Sequence, residues 1–273
     1  MTDLSEPPAS AAGATAPAET APSATPTLES LLDAAAMVLQ NGGSAAMADG
    51  ALKNLAHGFG RGEVAAVWRL DGILATGREE GRPVTLLRPI GPVGLSLARA
   101  SEVTALSERV AKGDVDAATF AAELERIRGL PPPYGRWVMA LAAAFAGLTF
   151  SRTMAGDQGA LILCPVAAGV GQLLRSQLTA WKFSRTNTTF VCALLSGLIA
   201  AAGLDLGVSQ TVGATFLSSI IYAVPGVLLI NGFLDLLTER FLIIGLQRLA
   251  HAGLLFLILA IAVAVADSLT WGG

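Results

Sequence analysis

"VPGVLLINGFLDLLTERFLIIGLQRLAH", residues 224–251, places a Pro-Gly pair, an asparagine, an aspartate, an arginine and a histidine among strongly apolar side chains. Polar groups at membrane depth are costly, so the stretch is either the border between two hydrophobic helices or a working site within a bilayer. Pro225 lacks a backbone donor and clashes with the preceding turn, so helical hydrogen bonds near residue 221 are expected to break. Backbone freed in this way is tolerated only where it is buried in protein or lines water. Asn231 and Asp235, four apart, share one helical face; Arg248 and His251, three apart, share another. Spacing alone leaves two readings. Either Pro225, Gly226, Asn231, Asp235 and Arg248 handle a solute, or residues 238–248 form an interfacial connector from which Arg248 snorkels.

Working outward, the chain divides in two. Of its 39 Asp, Glu, Lys and Arg residues, 27 precede Pro131 and 12 follow it. In the later part, uncharged stretches run 137–151, 158–174, 186–204, 206–234 and 249–266. A hydrocarbon core of about 30 Å needs roughly 20 helical residues, so five spans are expected near 136–154, 158–176, 187–205, 211–233 and 246–268. Arg136, Arg152 and Arg175 extend the two short stretches by snorkelling. With the N-terminus inside, Arg175, Lys182, Arg185 and Arg240 fall in inside loops and only Arg152 outside, so the C-terminus lies outside with Trp271 at the interface.

The earlier part reads as a water-soluble unit. Residues 1–27 are rich in Ala, Pro, Ser and Thr, with three acids and no Lys or Arg before Leu28, which reads as a disordered lead-in without an export signal. Leu28, Leu31, Leu32, Ala35 and Leu39 line one helical face, with Thr25 as the expected cap and Pro26 as the first helical residue. "NGG" at 41–43 ends this helix, and Ser44 caps a second one whose apolar side holds Met47, Ala51, Leu52 and Leu55. Asp71-Gly72 and "REEGRP" are turn signals between three β-prone runs. Glu79 and Glu80 read as a solvated tip. Two helices follow, about 96–112 and 115–128, with Asp114 as the expected cap between them. The prolines at 131–133 close the series. The fold class is a multi-span α-helical membrane protein with an N-terminal cytoplasmic α+β domain, residues 28–130, before a membrane domain, 131–273. A unit of about 100 residues can bury its own core.

Several function classes receive no support. A net charge of −3 offers no footprint for nucleic acid. His57 has no partner at ligand spacing, so no metal site is expected. Cys164 and Cys192 sit in apolar runs and read as small packing residues. Gly58, Gly60 and Gly62 follow a helix, whereas a phosphate-cradling loop joins strand to helix. No GxxxxGK[ST] motif occurs, no nucleophile–base pair is evident, and neither a cofactor nor an enzymatic activity is expected.

The order of parts resembles the threonine/serine exporter-like family over roughly residues 28–270. The local matches are "GLPPPYGRW" at 129–137, "GVGQLLRSQL" at 169–178, "NTTFVCALLSGL" at 187–198 and "PGVLLINGFLDLLTERFLIIGLQRLA" at 225–250. In the last, Pro225, Gly226, Asn231, Asp235, Gly245 and Arg248 occupy the family's P-G…N…D…G…R pattern. Where the family shows a Gly-Ala-Glu-Thr-like stretch after the first helix, this chain reads "NGGSAAMADGALKNLAHGFG" and lacks that Glu and Thr. The resemblance implies an inner-membrane secondary exporter of a small polar metabolite, a threonine- or serine-type amino acid or a small dicarboxylate. It also implies a split system, in which a second, smaller multi-span membrane subunit completes the exporter within the lipid bilayer; self-association of this chain is left open. In that frame Pro225 and Gly226 break a helix, Asn231 bonds solute or backbone, and Asp235 with Arg248 forms a gating or coupling pair. The alternative is a membrane-anchored sensory or scaffold protein without transport activity.

Overall fold

The computed structural model describes residues 25–271 apart from 80, 92, 93 and 95. The lead-in before Thr25, the role of Glu80 and the side chain of Trp271 therefore lie outside the described residues. The chain begins with α1 (Leu28–Gln40) and α2 (Ala45–Gly58), followed by an antiparallel meander of β1 (Ala65–Trp68), β2 (Gly72–Glu79) and β3 (Arg82–Pro89). Next come α3 (Leu97–Ala111) and α4 (Ala117–Arg128). This is the α+β unit.

Helix α1 is central to it, packed against β2, β3 and the other three helices. Its apolar side chains are therefore buried nearly all round, not only along the expected face. Thr27, not Thr25, caps α1, its side chain accepting from the Ser30 amide. The Leu28 amide finds a partner in Glu79, which accepts from it at 2.8 Å and from Arg61 at 3.0 Å. Glu79 is thus a fastener between the hairpin and the start of α1 and not a solvated tip: a carboxylate suits the positive end of a helix. Asp116, not Asp114, caps α4 through the Thr119 amide. Met47 is largely exposed, because Ala45, Ala48, Ala51, Leu52 and Leu55 turn inward instead.

The remaining helices are α5 (Arg136–Thr153), α6 (Gln158–Ala180), α7 (Arg185–Asp205), α8 (Val212–Ser219), α9 (Gly226–Leu237) and α10 (Leu242–Trp271). Among the described residues three helices are long and apolar enough to cross a membrane: Gln158–Ala180, Arg185–Asp205 and Leu242–Leu269. Helix α5 has 18 residues but carries Arg136, Arg152 and several hydroxyl groups. The stretch expected as one span at 211–233 is divided: α8 ends at Ser219, a 3-10 turn covers Ile221–Ala223, and α9 starts after Pro225. Trp137, Leu141 and Phe145 on α5 and Ile230, Phe233 and Leu237 on α9 point their apolar side chains outward. Ser151 on α5 and Asp235 on α9 are buried. That pattern suits lipid contact, since water outside would favour the reverse.

Helices approach closely at small residues. A Cβ on Gly147 would lie 3.0 Å from the Cys164 carbonyl oxygen, and one on Gly197 would lie 2.9 Å from Ala266 Cβ. Both cysteines are buried and unbonded to each other. At one end of the bundle Asp157 joins two turns: it accepts from the amides of Ala160 and Gln210 and from Ser209, while its own amide donates to Thr211.

The α+β unit does not close its core alone. Phe241 and Ile244, from the turn into α10, belong to the same buried apolar cluster as Leu31, Leu52 and Phe120. A core shared across the junction makes the two parts one cooperative unit. Ile244→Ala is expected to cost about 2–5 kcal/mol. Denaturation of the purified chain in mild detergent checks this, and an unchanged transition would mean that the junction adds nothing to stability.

Candidate functional site

The turn after α1 is built to leave polar backbone pointing outward. Gly42 adopts φ 90°, a left-handed conformation that glycine adopts freely. Its amide bonds to the Leu39 carbonyl and that of Gly43 to the Val38 carbonyl at 2.9 Å, which ends α1 in a Schellman motif. Ser44 then caps α2 through the Met47 amide. The carbonyls of Gly42 and Gly43 and the amide of Ala45 still need partners from elsewhere.

They come from the quoted stretch. Asn231 Nδ2 donates to the Gly42 carbonyl at 2.7 Å. Arg248 Nη2 donates to the Gly43 carbonyl at 2.8 Å. Asp235 Oδ1 accepts from the Ala45 amide at 3.0 Å, at the positive end of α2. Asp235 Oδ2 and Arg248 Nη1 meet at 2.8 Å as an ion pair without hydrogen-bond alignment. Both side chains are almost wholly buried, at 1% and 4% exposed. Two further contacts widen the seam: Gln247 accepts from the Leu70 amide at 2.9 Å, and Arg240 donates to Asp49 at 3.0 Å.

Sequence-predicted site residues Asn231, Asp235 and Arg248 are therefore brought together, on the turn at 42–45. That turn opens the segment in which the chain departs from the family's Gly-Ala-Glu-Thr-like stretch. Pro225 lies at the start of α9, away from this cluster, where it ends the 3-10 turn. Gly226 has open space where a Cβ would stand, and its backbone is not left-handed. The break therefore rests on the proline.

Sequence reasoning missed the partner of the freed backbone. In a continuous helix the Tyr222 carbonyl would accept from the Gly226 amide; here that amide bonds to Val224, and Arg175 Nη1 donates to Tyr222 at 3.0 Å instead. The Tyr222 hydroxyl lies 3.1 Å from Ser196 Oγ and 3.1 Å from the Cys192 carbonyl oxygen. Gly171 makes room for that pair, because a Cβ there would collide with both oxygens. Arg175 entered the sequence reading only as a snorkelling residue and an inside charge; "GVGQLLRSQL" carried the signal, in an arginine one turn after Gln172. Among the described residues no group of three or more His, Cys, Asp and Glu could hold a metal ion.

A divided helix with apolar side chains outward and Asp235 buried is the pattern of a membrane-embedded protein. The chain belongs to the family described as "Putative threonine/serine exporter", whose model matches residues 29–270. It is similar to the "Probable threonine/serine exporter" of Mycobacterium tuberculosis, with 27% identity over 191 residues, 68% of this chain and 35% of that protein. It is also similar to the "Probable succinate transporter subunit YjjP" of Klebsiella aerogenes, with 24% identity over 245 residues, 88% of this chain and 92% of that protein. The chain thus spans about a third of one relative and nearly all of the other. No solved structure matches it.

Breaking a buried ion pair from one side strands the other charge. Arg248→Met should therefore lower stability by about 3–5 kcal/mol, and adding Asp235→Leu should restore only part of it, because the Ala45 amide and the Gly43 carbonyl then lose their partners. Unfolding transitions in detergent for the single and double variants provide the check. Gly226→Ala is expected to match the parent in both abundance and melting temperature; a marked loss would show that the break needs glycine after all.

Proposed function

We propose that this chain is one subunit of an inner-membrane secondary exporter that moves a small polar metabolite outward. Its solute is a threonine- or serine-type amino acid or a small dicarboxylate. The observation that carries the reading is the seam at 42–45, where Asn231, Asp235 and Arg248 fasten the α+β unit to the two helices, α9 and α10, that follow the break. A movement of α9 or α10 must disturb that fastening, so the seam links the two parts mechanically.

In this reading α5 and the α8–α9 pair are the two crossings beyond the three long apolar helices. The α+β unit is cytoplasmic and the C-terminus lies outside. Arg185, at the α6–α7 turn, lines a small crevice together with Gly42, Leu70 and Gly94 of the α+β unit, which supports their lying on one side. The cluster of Arg175, Lys182 and Arg185 then obeys the positive-inside bias. A second, smaller membrane subunit is part of the proposal, supported by the near full-length match to a relative named as a subunit. An ion gradient or the solute's own gradient supplies the drive. Asp235 and Arg248 act as a gate that opens when the pair separates.

Asp235→Asn keeps an acceptor for the Ala45 amide but removes the charge facing Arg248. Efflux of labelled threonine or succinate, measured per molecule of protein in the membrane with the candidate second subunit present, should fall at least tenfold (about 1.4 kcal/mol). Undiminished efflux would remove Asp235 from the mechanism. Absence of any efflux by the parent pair would favour a sensory or scaffold role.

A further inference from the structure

Helix α1 covers one face of the sheet, onto which Trp68, Ile73 and Ala75 turn. The alternate residues point the other way, and the register sets Val67 opposite Leu74 and Leu74 opposite Leu87. These three are 57%, 43% and 67% exposed, so they form one apolar row across all three strands. Single exposed apolar side chains are ordinary, but adjacent ones make a patch of the kind that marks an interaction surface. The next row is Ala65, Thr76 and Thr85, with the two threonine hydroxyls bonded at 2.8 Å. Beyond it Arg78 lies opposite Pro83. The face therefore grades along the strands from apolar to hydroxyl-bearing to charged.

The apolar end is the one tied to the membrane helices. The turn joining β1 and β2 is fastened to α10, where Gln247 accepts from the Leu70 amide. Phe241, Ile244 and Arg248 also touch the α+β unit, so the start of α10 lies at its level. On the same turns Ile243 and Leu246 face outward, about half exposed. The apolar helix Leu242–Leu269 has 28 residues. At about 1.5 Å per residue it is about 42 Å long, against a hydrocarbon core of about 30 Å. Residues 252–266 carry no charge, whereas Gln247, Arg248 and His251 are polar, so the excess falls mainly at this end. That puts Gln247 in the headgroup layer, and the turn bonded to it as well. Leu74 stands two residues along β2 from Gly72, about 7 Å away. Arg69 and Asp71, the exposed ion pair on the turn itself, suit a layer of charged headgroups.

We infer that the Val67–Leu74–Leu87 row rests on the bilayer surface, on the side where the α+β unit lies. An apolar face of this kind sinks about 5–10 Å into the boundary between headgroups and acyl chains. Two observations make the occupant lipid. The row lies at about the level where the outward side of α10 is itself apolar, and polarity along the sheet rises with distance from that helix, as it does away from a membrane. The sheet is then a third support for the α+β unit, beside the seam at 42–45 and the shared core. This contact goes beyond the exporter reading and requires no transport.

The test uses the full chain in phosphatidylcholine nanodiscs, with a fluorescent thiol label on Leu87→Cys and, separately, on Val67→Cys. Both native cysteines are buried, so the parent chain treated with the same reagent serves as the blank. Ile243→Cys marks the outward side of α10, and Arg78→Cys marks the far row of the sheet. Nitroxide carried on the lipid should quench the labels at 87 and 67 nearly as fully as the label at 243, while iodide in the water quenches them little. The label at 78 should show the reverse. Iodide quenching at 87 and 67 equal to that at 78 means that the row stands free in water, which overturns the proposal. Quenching by neither agent means that protein covers the row, a second copy or another subunit, and overturns it as well. Escape of the label at 243 from lipid places the bilayer lower than inferred, with the same consequence. Should Leu87→Cys fail to fold, Val67→Cys gives the reading from the opposite edge of the sheet. No efflux is measured, so failure here leaves the exporter reading untouched.

Discussion

Asp235 and Arg248 are both withdrawn from solvent, and each is also bonded to backbone of the turn after α1. Charges at such depth are tolerated because each is also bonded to backbone. The carboxylate faces the amide end of α2 as well as the guanidinium, and the guanidinium faces a carbonyl as well as the carboxylate. Removing water from two charges costs several kcal/mol, which the mutual attraction offsets only with such additional partners. The remaining architecture depends on this arrangement, since it joins the part of the chain that looks soluble to the part that looks oily. Phe241 and Ile244 then complete the apolar core from the membrane side.

The helix break is handled by the same logic one helix away. At the break the Gly226 amide turns to Val224 and leaves the Tyr222 carbonyl, and Arg175 from α6 takes it up. Neither a continuous helix nor open water is required. The two arginines, Arg175 and Arg248, each stabilise irregular backbone at the boundary between the bundle and the α+β unit. An arginine serves well here because it stays charged and presents several donors in a fixed plane. Backbone held by side chains from other helices can change partners as those helices move, which continuous helical backbone cannot do.

The elements were largely legible from residue patterns. Leu28 to Leu39, the "NGG" stop, the Asp71-Gly72 hairpin and the prolines at 131–133 each act locally, through propensity, turn geometry or steric clash. Misplacements were of a local kind too. Thr27 and Asp116 cap helices where Thr25 and Asp114 were the expected residues, because several capping residues lie within a turn of each other and only the final backbone selects one. Glu79 was unreadable for another reason: its partners, Leu28 and Arg61, are 51 and 18 positions away.

The amino-acid sequence determined, by itself, that the chain is half charged and half apolar, that helical hydrogen bonding loses a donor at Pro225, and that Asn231 and Asp235 share a face. Periodicity, composition and the missing proline donor act within a few residues, so no distant contact is needed to establish them. Only the tertiary structure decided what those groups touch. The hydrogen bonds from α9 and α10 to the turn at 42–45 link residues about 190 to 205 positions apart, and Arg175 reaches the Tyr222 carbonyl 47 positions away. Such pairings depend on how whole helices pack, and packing is settled by all of their faces together.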